Sequence, residues 1–292
     1  MISLTISKKK NKMIKKIIEH PIIKVVISSV VIILSVALFK EAISKPALAF
    51  LGTPEHLNRI IGSSISLIVM LAAYYLLIRF YLKRPFNDFP KNKVIPELGG
   101  GILMGFSAIG IVILALFLLG YYQVTGSNNF YSFVPTITYI IGGVMLEEII
   151  FRGLLFKALE TIKGTIFAVI ISSIIFQIPH FMNPHEAFLP ALLGFLFGVL
   201  HALIYANTKN LWLPIAFHMG WNIAQPFFGT TLSGIDGFNN LLIARTEGPQ
   251  LITGSAFGIE DSLLSLMVLV SLSFHYYMKL KRRGAIIRYR KD

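Results

Sequence analysis

The amino-acid sequence predicts an all-α polytopic membrane helix bundle of about eight transmembrane helices, with both termini cytoplasmic. Three observations predict it. Mean hydropathy is +0.71 and 55% of the 292 residues are hydrophobic, more than a soluble domain of this length needs. Apolar runs long enough to span a bilayer alternate with short polar breaks along the chain. The 27 Lys and Arg residues, which set a formal net charge of +13, sit in the tails and in alternate breaks rather than in one folded basic patch. That distribution argues for a lipid bilayer as partner and against nucleic acid. With Cys 0 in the composition, disulfides, thiolate zinc sites and a cysteine nucleophile are excluded.

The elements follow in order. Residues 1–20 form a basic cytoplasmic tail, with Lys8, Lys9, Lys10, Lys12, Lys15 and Lys16 placed to touch anionic lipid. It resembles a signal-peptide start, but Ser35-Val36-Ala37-Leu38-Phe39 is a poor cleavage site, so the first span is read as uncleaved. Residues 21–39 are that span, with Lys24 able to snorkel. Residues 40–59 read as a polar loop containing Pro46 and Pro54, 60–82 as the second span, and 83–97 as a basic loop with Pro85, Pro90 and Pro96. The block 98–146 has no charged residue or histidine and is too long for one span. The turn signal Gly126-Ser127-Asn128-Asn129 divides it into a third span over 98–122 and a fourth that starts near 131. A polar break over 160–164 follows. The fifth span runs from Thr165 to His180, closed by Pro179 and Pro184. Spans over 187–206 and 211–228, a Gly-rich extracytoplasmic connection over 229–261, a last span over 262–278 and a basic cytoplasmic tail over 279–292 complete the chain. The units are thus helices one to three in 21–129 and a core of helices four to seven in 130–228. There is no internal repeat and no separate soluble domain. With this arrangement the outer loops hold only Lys40, Lys45, Arg59 and Arg245, an asymmetry that fixes the orientation.

The polar groups inside the spans carry the chemistry. Glu147 and Glu148 lie in an otherwise apolar helix, where an unpaired carboxylate is expensive unless it faces a wet cavity. Arg152 is four residues beyond Glu148 and shares its face, so these two form a structural pair. Glu147 is turned about 100° away and is left for chemistry. Glu147 and His180 lie at about equal distances, roughly 24 Å of helix, on either side of the turn at Lys163-Gly164, so an antiparallel pair sets them at one depth. His218 lies roughly 12 Å into the seventh span, and Asn222 is on the same face one turn later. A carboxylate beside an imidazole can activate water and return a proton to a leaving amine. A second imidazole and an amide can stabilise the oxyanion. The same Glu147, His180 and His218 are also a ligand set for Zn²⁺ with an open position for water, and a metal-free, glutamate-activated water stands equally beside that alternative.

In this order, Glu147-Glu148-x-x-x-Arg152, Phe176-x-x-x-His180 and His218-x-x-x-Asn222 on successive apolar segments resemble the motifs of the CAAX protease and bacteriocin-processing family, also called CPBP or abortive-infection-like. Phe151-Arg152-Gly153 and Leu211-Trp212-Leu213-Pro214 around them add to the resemblance, which covers about residues 130–228. It implies an eight-helix intramembrane endopeptidase core with Glu147 and His180 catalytic and His218 and Asn222 supporting. The implied substrate is a membrane-embedded protein or a peptide precursor, and the cysteine-free, lysine-rich and isoleucine-rich composition fits a bacterial plasma membrane.

The plainer readings are these. Both glutamates could form an ion cluster locking helices together, and His218 and Asn222 could be interhelical hydrogen-bond glue. His201 has no partner at a telling spacing and reads as packing, or as support to the site. His185-Glu186 reads as solvated loop. Phe188, Phe195 and Phe197 read as lipid-facing, and Gly142-Gly143 and Gly194 with Gly198 as points of close helix contact. The rival functions are a non-catalytic membrane partner or bacteriocin-immunity protein on the same fold, and a proton-coupled transporter. The serine, aspartyl and His-Glu-x-x-His motifs of other membrane proteases are lacking.

Overall fold

The structure is a computed structural model that describes residues 16 and 18–289. The tail bases Lys8, Lys9, Lys10, Lys12, Lys15, Arg290 and Lys291 lie outside the described residues. The chain is a mostly helical polytopic membrane protein. Its main helices are α1 (Pro21–Phe50), α2 (Glu55–Leu82), α3 (Lys91–Leu118), α4 (Phe130–Lys163), α5 (Thr165–His180), α6 (Phe188–Thr208), α7 (Trp212–Phe227) and α8 (Leu263–Arg282). Six of them, all but α5 and α7, are long and apolar enough to cross a membrane. Large apolar side chains such as Ile95, Leu103, Leu118 and Phe274 stay exposed. In water such a surface would be a liability, but in a bilayer it is the lipid face.

Several boundaries differ from the sequence reading. Helix α1 does not stop at residue 39. It continues through a π-helical segment, Lys40–Ser44, into Lys45–Phe50. Pro46, which has no N–H to give the turn before it, directly follows that π-wound segment, and Glu41 and Lys45 pair at 2.7 Å along the surface. Helix α3 likewise starts at Lys91 and absorbs Pro96 in its first turns. The fold is not wholly α. Strands β1 (Tyr122–Ser127) and β2 (Leu242–Thr246) pair antiparallel, with Tyr122 opposite Thr246 and a bulge between Val124 and Gly126. β1 covers the residues read as a bare turn, and β2 lies inside the connection read as Gly-rich loop. Tyr, Val, Thr and Ile in the two strands suit a pleated ribbon, but their pairing is non-local.

Glycine sets the packing that positions the core. A Cβ on Gly105 of α3 would come 2.1 Å from the Phe217 carbonyl, and one on Gly220 of α7 would come 2.3 Å from that of Ile102. Backbone therefore lies on backbone, and α7 is held flush against α3. Gly198 of α6 meets Ser173 of α5 in the same way, since a Cβ there would fall 3.0 Å from the Ser173 Cβ. Gly142 and Gly143 do not behave as read: a Cβ at either would meet nothing within 4 Å. They border open space, a groove of about 670 Å³ between α1, α2 and α4.

At the end of the bundle where the basic loops gather, buried Asp88 ties α2 to α4. It accepts from Tyr74 Oη at 2.9 Å, pairs with Arg84 at 2.9 Å, and is bonded by Lys157. Arg84 also donates to the Gly153 carbonyl at 3.3 Å. Lys209 and Glu160 pair at 2.6 Å, and Arg283 donates to the Asn207 carbonyl at 3.1 Å.

Candidate active site

Helix α4 changes winding at the carboxylates. Residues Phe130–Glu148 are α-helical and Ile149–Phe156 are π-helical. π segments are rare and often lie at functional sites. Here the segment starts one residue after Glu148 and carries Arg152.

The expected Glu148–Arg152 pair forms, with Nη1 3.1 Å from Oε1 and both side chains almost wholly buried. Arg152 also donates from Nη2 to the Gly198 carbonyl at 3.2 Å, and its guanidinium lies 4.6 Å from the Phe176 ring centroid. The same Glu148 Oε1 is 2.9 Å from Nδ1 of His218. A carboxylate held by a guanidinium accepts, so the imidazole N–H sits on Nδ1. Nε2 is thereby turned to Glu147, whose Oε2 is 3.8 Å away. Glu147 is not sealed: its side chain is 32% exposed and faces a cavity of about 230 Å³.

His180 and Asn222 line that cavity with Glu147 and His218. His180 donates from Nδ1 to the Phe176 carbonyl at 3.0 Å, since a carbonyl can only accept, which leaves Nε2 as a lone-pair nitrogen. The structure therefore brings all four residues read as reacting groups to one cavity, with Glu148 and Arg152 packed behind. The short contact of Glu147 is to His218 rather than to His180.

Other residues complete the site. His201 is fully buried, bonded through Nδ1 to the Phe197 carbonyl at 2.8 Å, and its ring lies 4.9 Å from that of His218. Gly194, Gly198 and His201 continue one face of α6 at helical spacing, so the small-residue stripe was a signal that His201 points inward. Phe197 is buried too, 4.9 Å from the His218 ring, rather than lipid-facing, whereas Phe188 is exposed. Trp221 and Gln225 share the face of His218 and Asn222. They donate to Glu260 Oε2 at 3.4 and 2.8 Å. Glu260 lies in the turn Ile259–Asp261, beyond any motif, and lines the same cavity. Glu186 is not solvated: Gln177 Nε2 donates to its Oε1 at 3.0 Å.

Among the described residues, one trio draws its ligand atoms within 4.8 Å of one another: Glu148, His201 and His218, rather than Glu147, His180 and His218. Its donor types suit a zinc-class ion, and Glu148 Oε2 and His201 Nε2 are buried without a hydrogen bond. Its charges do not suit one. The Arg152 guanidinium is bonded to the same carboxylate, and the His218 nitrogen facing Glu148 carries a proton on this geometry. As arranged, the trio fits a hydrogen-bonded ion pair better than a metal centre.

Comparison with known proteins finds a match over the segment that carries these residues. A family model described as type II CAAX prenyl endopeptidase, Rce1-like, matches residues 129–224. The chain is 31% identical over 215 residues to the putative membrane peptidase YdiL of Bacillus subtilis (strain 168), a match covering 67% of this chain and 80% of that protein. It is 29% identical over 184 residues to the membrane-embedded CAAX protease MroQ of Staphylococcus aureus (strain USA300), covering 56% of this chain and 72% of that protein.

Proposed function

The chain belongs to the Rce1-like CAAX prenyl endopeptidase family, and from that premise we propose that it is an intramembrane endopeptidase cutting a peptide bond of a membrane-associated protein or peptide precursor. The observation that carries this is the bracketing of His218 between two carboxylates at the cavity wall, Glu148 at 2.9 Å and Glu147 at 3.8 Å.

Glu147 and His180 activate the water. Both present an acceptor to the cavity, Glu147 through Oε2 and His180 through Nε2. As the water oxygen bonds to the scissile carbonyl carbon, its proton passes to Glu147. Asn222 and His218, which in this step carries a proton on Nε2 as well as the one on Nδ1, give N–H groups to the oxyanion. Glu148 holds the His218 ring from behind, and Arg152 balances that buried carboxylate. The intermediate collapses as the C–N bond breaks, and the proton on Glu147 goes to the leaving amine. Since the trio behind the cavity does not fit an ion, no step is assigned to one.

The topology that goes with this reading has eight crossings, with α5 and α7 as short ones, and both termini in the cytoplasm of a bacterial cell. The cavity wall then includes the extracytoplasmic connections 181–187 and 229–261, so the scissile bond is presented from the outer half of the bilayer. Helices α5 and α7 have 16 residues each, roughly 24 Å of helix, enough for a span where neighbours bury both ends.

The test is Glu147→Gln in the full chain, assayed with a peptide library read by mass spectrometry. Cleavage should vanish while the protein stays folded in the membrane. A phenotype that survives both Glu147→Gln and His180→Ala would identify the chain as a non-catalytic membrane partner on the same fold.

A further inference from the structure

The end of the cavity away from the basic loops carries three acceptors with open lone pairs, on Gln177 and Glu260 in its wall and on Glu186 behind Gln177. Gln177 is 4% exposed and lines the cavity, and its Oε1 has no hydrogen bond. Gly194 makes room for this amide, since a Cβ there would fall 1.9 Å from Oε1. Glu186 Oε2 and Glu260 Oε1 are likewise buried without a hydrogen bond. Ser233 borders the Glu260 carboxyl, but no bond of normal geometry reaches Oε1.

These carboxyls are also without cations. Elsewhere in the bundle Asp88, Glu148 and Glu160 are each paired with a Lys or Arg. Among the described residues neither Glu186 nor Glu260 pairs with a Lys or Arg. The charged groups that act on Glu186 are His180, Glu260 and Asp261. Asp261 is already taken up by the Ser255 N–H at 2.8 Å and hydroxyl at 2.5 Å. Burial pushes the Glu186 and Glu260 carboxyls above the ordinary carboxylate value, as expected of buried acids with no counter-charge.

We propose that Gln177, Glu186 and Glu260 form a specificity subsite for a basic side chain, lysine or arginine, flanking the scissile bond of the substrate. The proposal rests on reading this cavity as a peptidase site. A metal ion needs compact ligands, and Glu186, Glu260 and His180 do not form such a group. A guanidinium or ammonium carries several N–H donors on a flexible stem and can reach acceptors that are spread apart. Leu232 and Phe257 offer the stem an apolar wall. Gln177 and Glu186 lie within the matched residues 129–224, and Glu260 comes from the connection 229–261 beyond them.

Binding tests this apart from cleavage. Full-length protein in detergent, wild type and Glu147→Gln, is titrated with leucyl-arginine amide and leucyl-norleucine amide, read by thermal shift and thermophoresis. Both proteins should bind the arginine peptide at least about tenfold more tightly. Glu260→Gln and Glu186→Gln, which keep an oxygen for Trp221, Gln225 and Gln177 to bond, should lower that ratio toward one with unchanged melting temperature. Equal affinity for the two peptides in the wild type, or a preference that persists in both variants, overturns the subsite. A library digest by the same wild type reads the enzyme separately. Cleavage beside Lys or Arg supports both proposals. Cleavage with no basic preference overturns the subsite and leaves the peptidase reading standing. Absence of any Glu147-dependent cleavage overturns the peptidase reading, whatever the binding ratio.

Discussion

The two ends of the bundle treat buried carboxylates in opposite ways. At the end where the basic loops gather, Asp88 has a tyrosine and two cations, and Glu160 has Lys209. At the cavity's other end, Glu186 and Glu260 are held by neutral amides and an indole. The first arrangement spends charge on architecture, joining α2 to α4 under the reacting helix. The second leaves charge uncompensated beside a cavity, which is sensible only where something charged arrives. Glu147 and Glu148 repeat the contrast within one helix turn: one is sealed with Arg152, the other is open.

Substitutions can break that contrast in a definite order. The largest effect should come from Glu147→Gln. Loss of the proton acceptor should lower peptide cleavage by roughly 10²- to 10⁴-fold with little change in melting temperature, checked by kinetics and thermal unfolding in detergent. Glu148→Ala should do the reverse. It leaves Arg152 charged and unpaired in the core, and should cost about 3–5 kcal/mol in denaturant unfolding, with activity lost through the fold. Asp88→Asn sharpens the comparison of the two ends. It should weaken unfolding stability by about 2–3 kcal/mol without altering which peptides are bound, whereas Glu260→Gln should alter peptide choice without weakening the fold.

Smaller effects follow from glycine and from pH. Gly143→Ala, with nothing within 4 Å of the new methyl, should raise stability by up to about 1 kcal/mol, while Gly198→Ala should lower it against the Ser173 Cβ at 3.0 Å. Glu186 and Glu260 have carboxyls raised by burial in the folded state, so the native protein holds more protons than the unfolded chain. Their contribution to stability therefore falls as pH rises from the ordinary carboxylate range through the raised values. The double variant Glu186→Gln with Glu260→Gln should lose less melting temperature than the wild type as pH rises above the ordinary carboxylate range. Chelator treatment should leave cleavage unchanged, with metal content followed by mass spectrometry, because Arg152 occupies the charge an ion would need.

Much of this was legible in the residues, and the misses have physical causes. Helix α5 falls on Thr165–His180 as read, because Gly164 and the prolines punctuate it locally. The pairing of Glu148 with Arg152 followed from helical spacing even though the winding there is π. What depended on distant segments was not legible. The β1–β2 ribbon joins residues more than a hundred apart in sequence. Glu260 reaches the cavity only because the connection folds back over α7, and Glu186 is tied to the site only because Gln177 turns to meet it. Composition also misled: Gly142-Gly143 and Gly194 with Gly198 look alike as small-residue signals, yet one pair borders open space and the other packs against α5. The open pair cannot be told from the packed one without knowing what lies opposite.

The wide turn over Ile149–Phe156 is a place where α4 holds spare length. A π turn, bonded i to i+5, takes up one residue more than an α turn, bonded i to i+4. Lys157 meets Asp88 beyond it, and Glu147 faces His218 before it. Removing one residue from the turn should let it close to ordinary winding with both contacts kept, whereas adding one leaves nothing to absorb it and should swing the two halves by about 100° against each other.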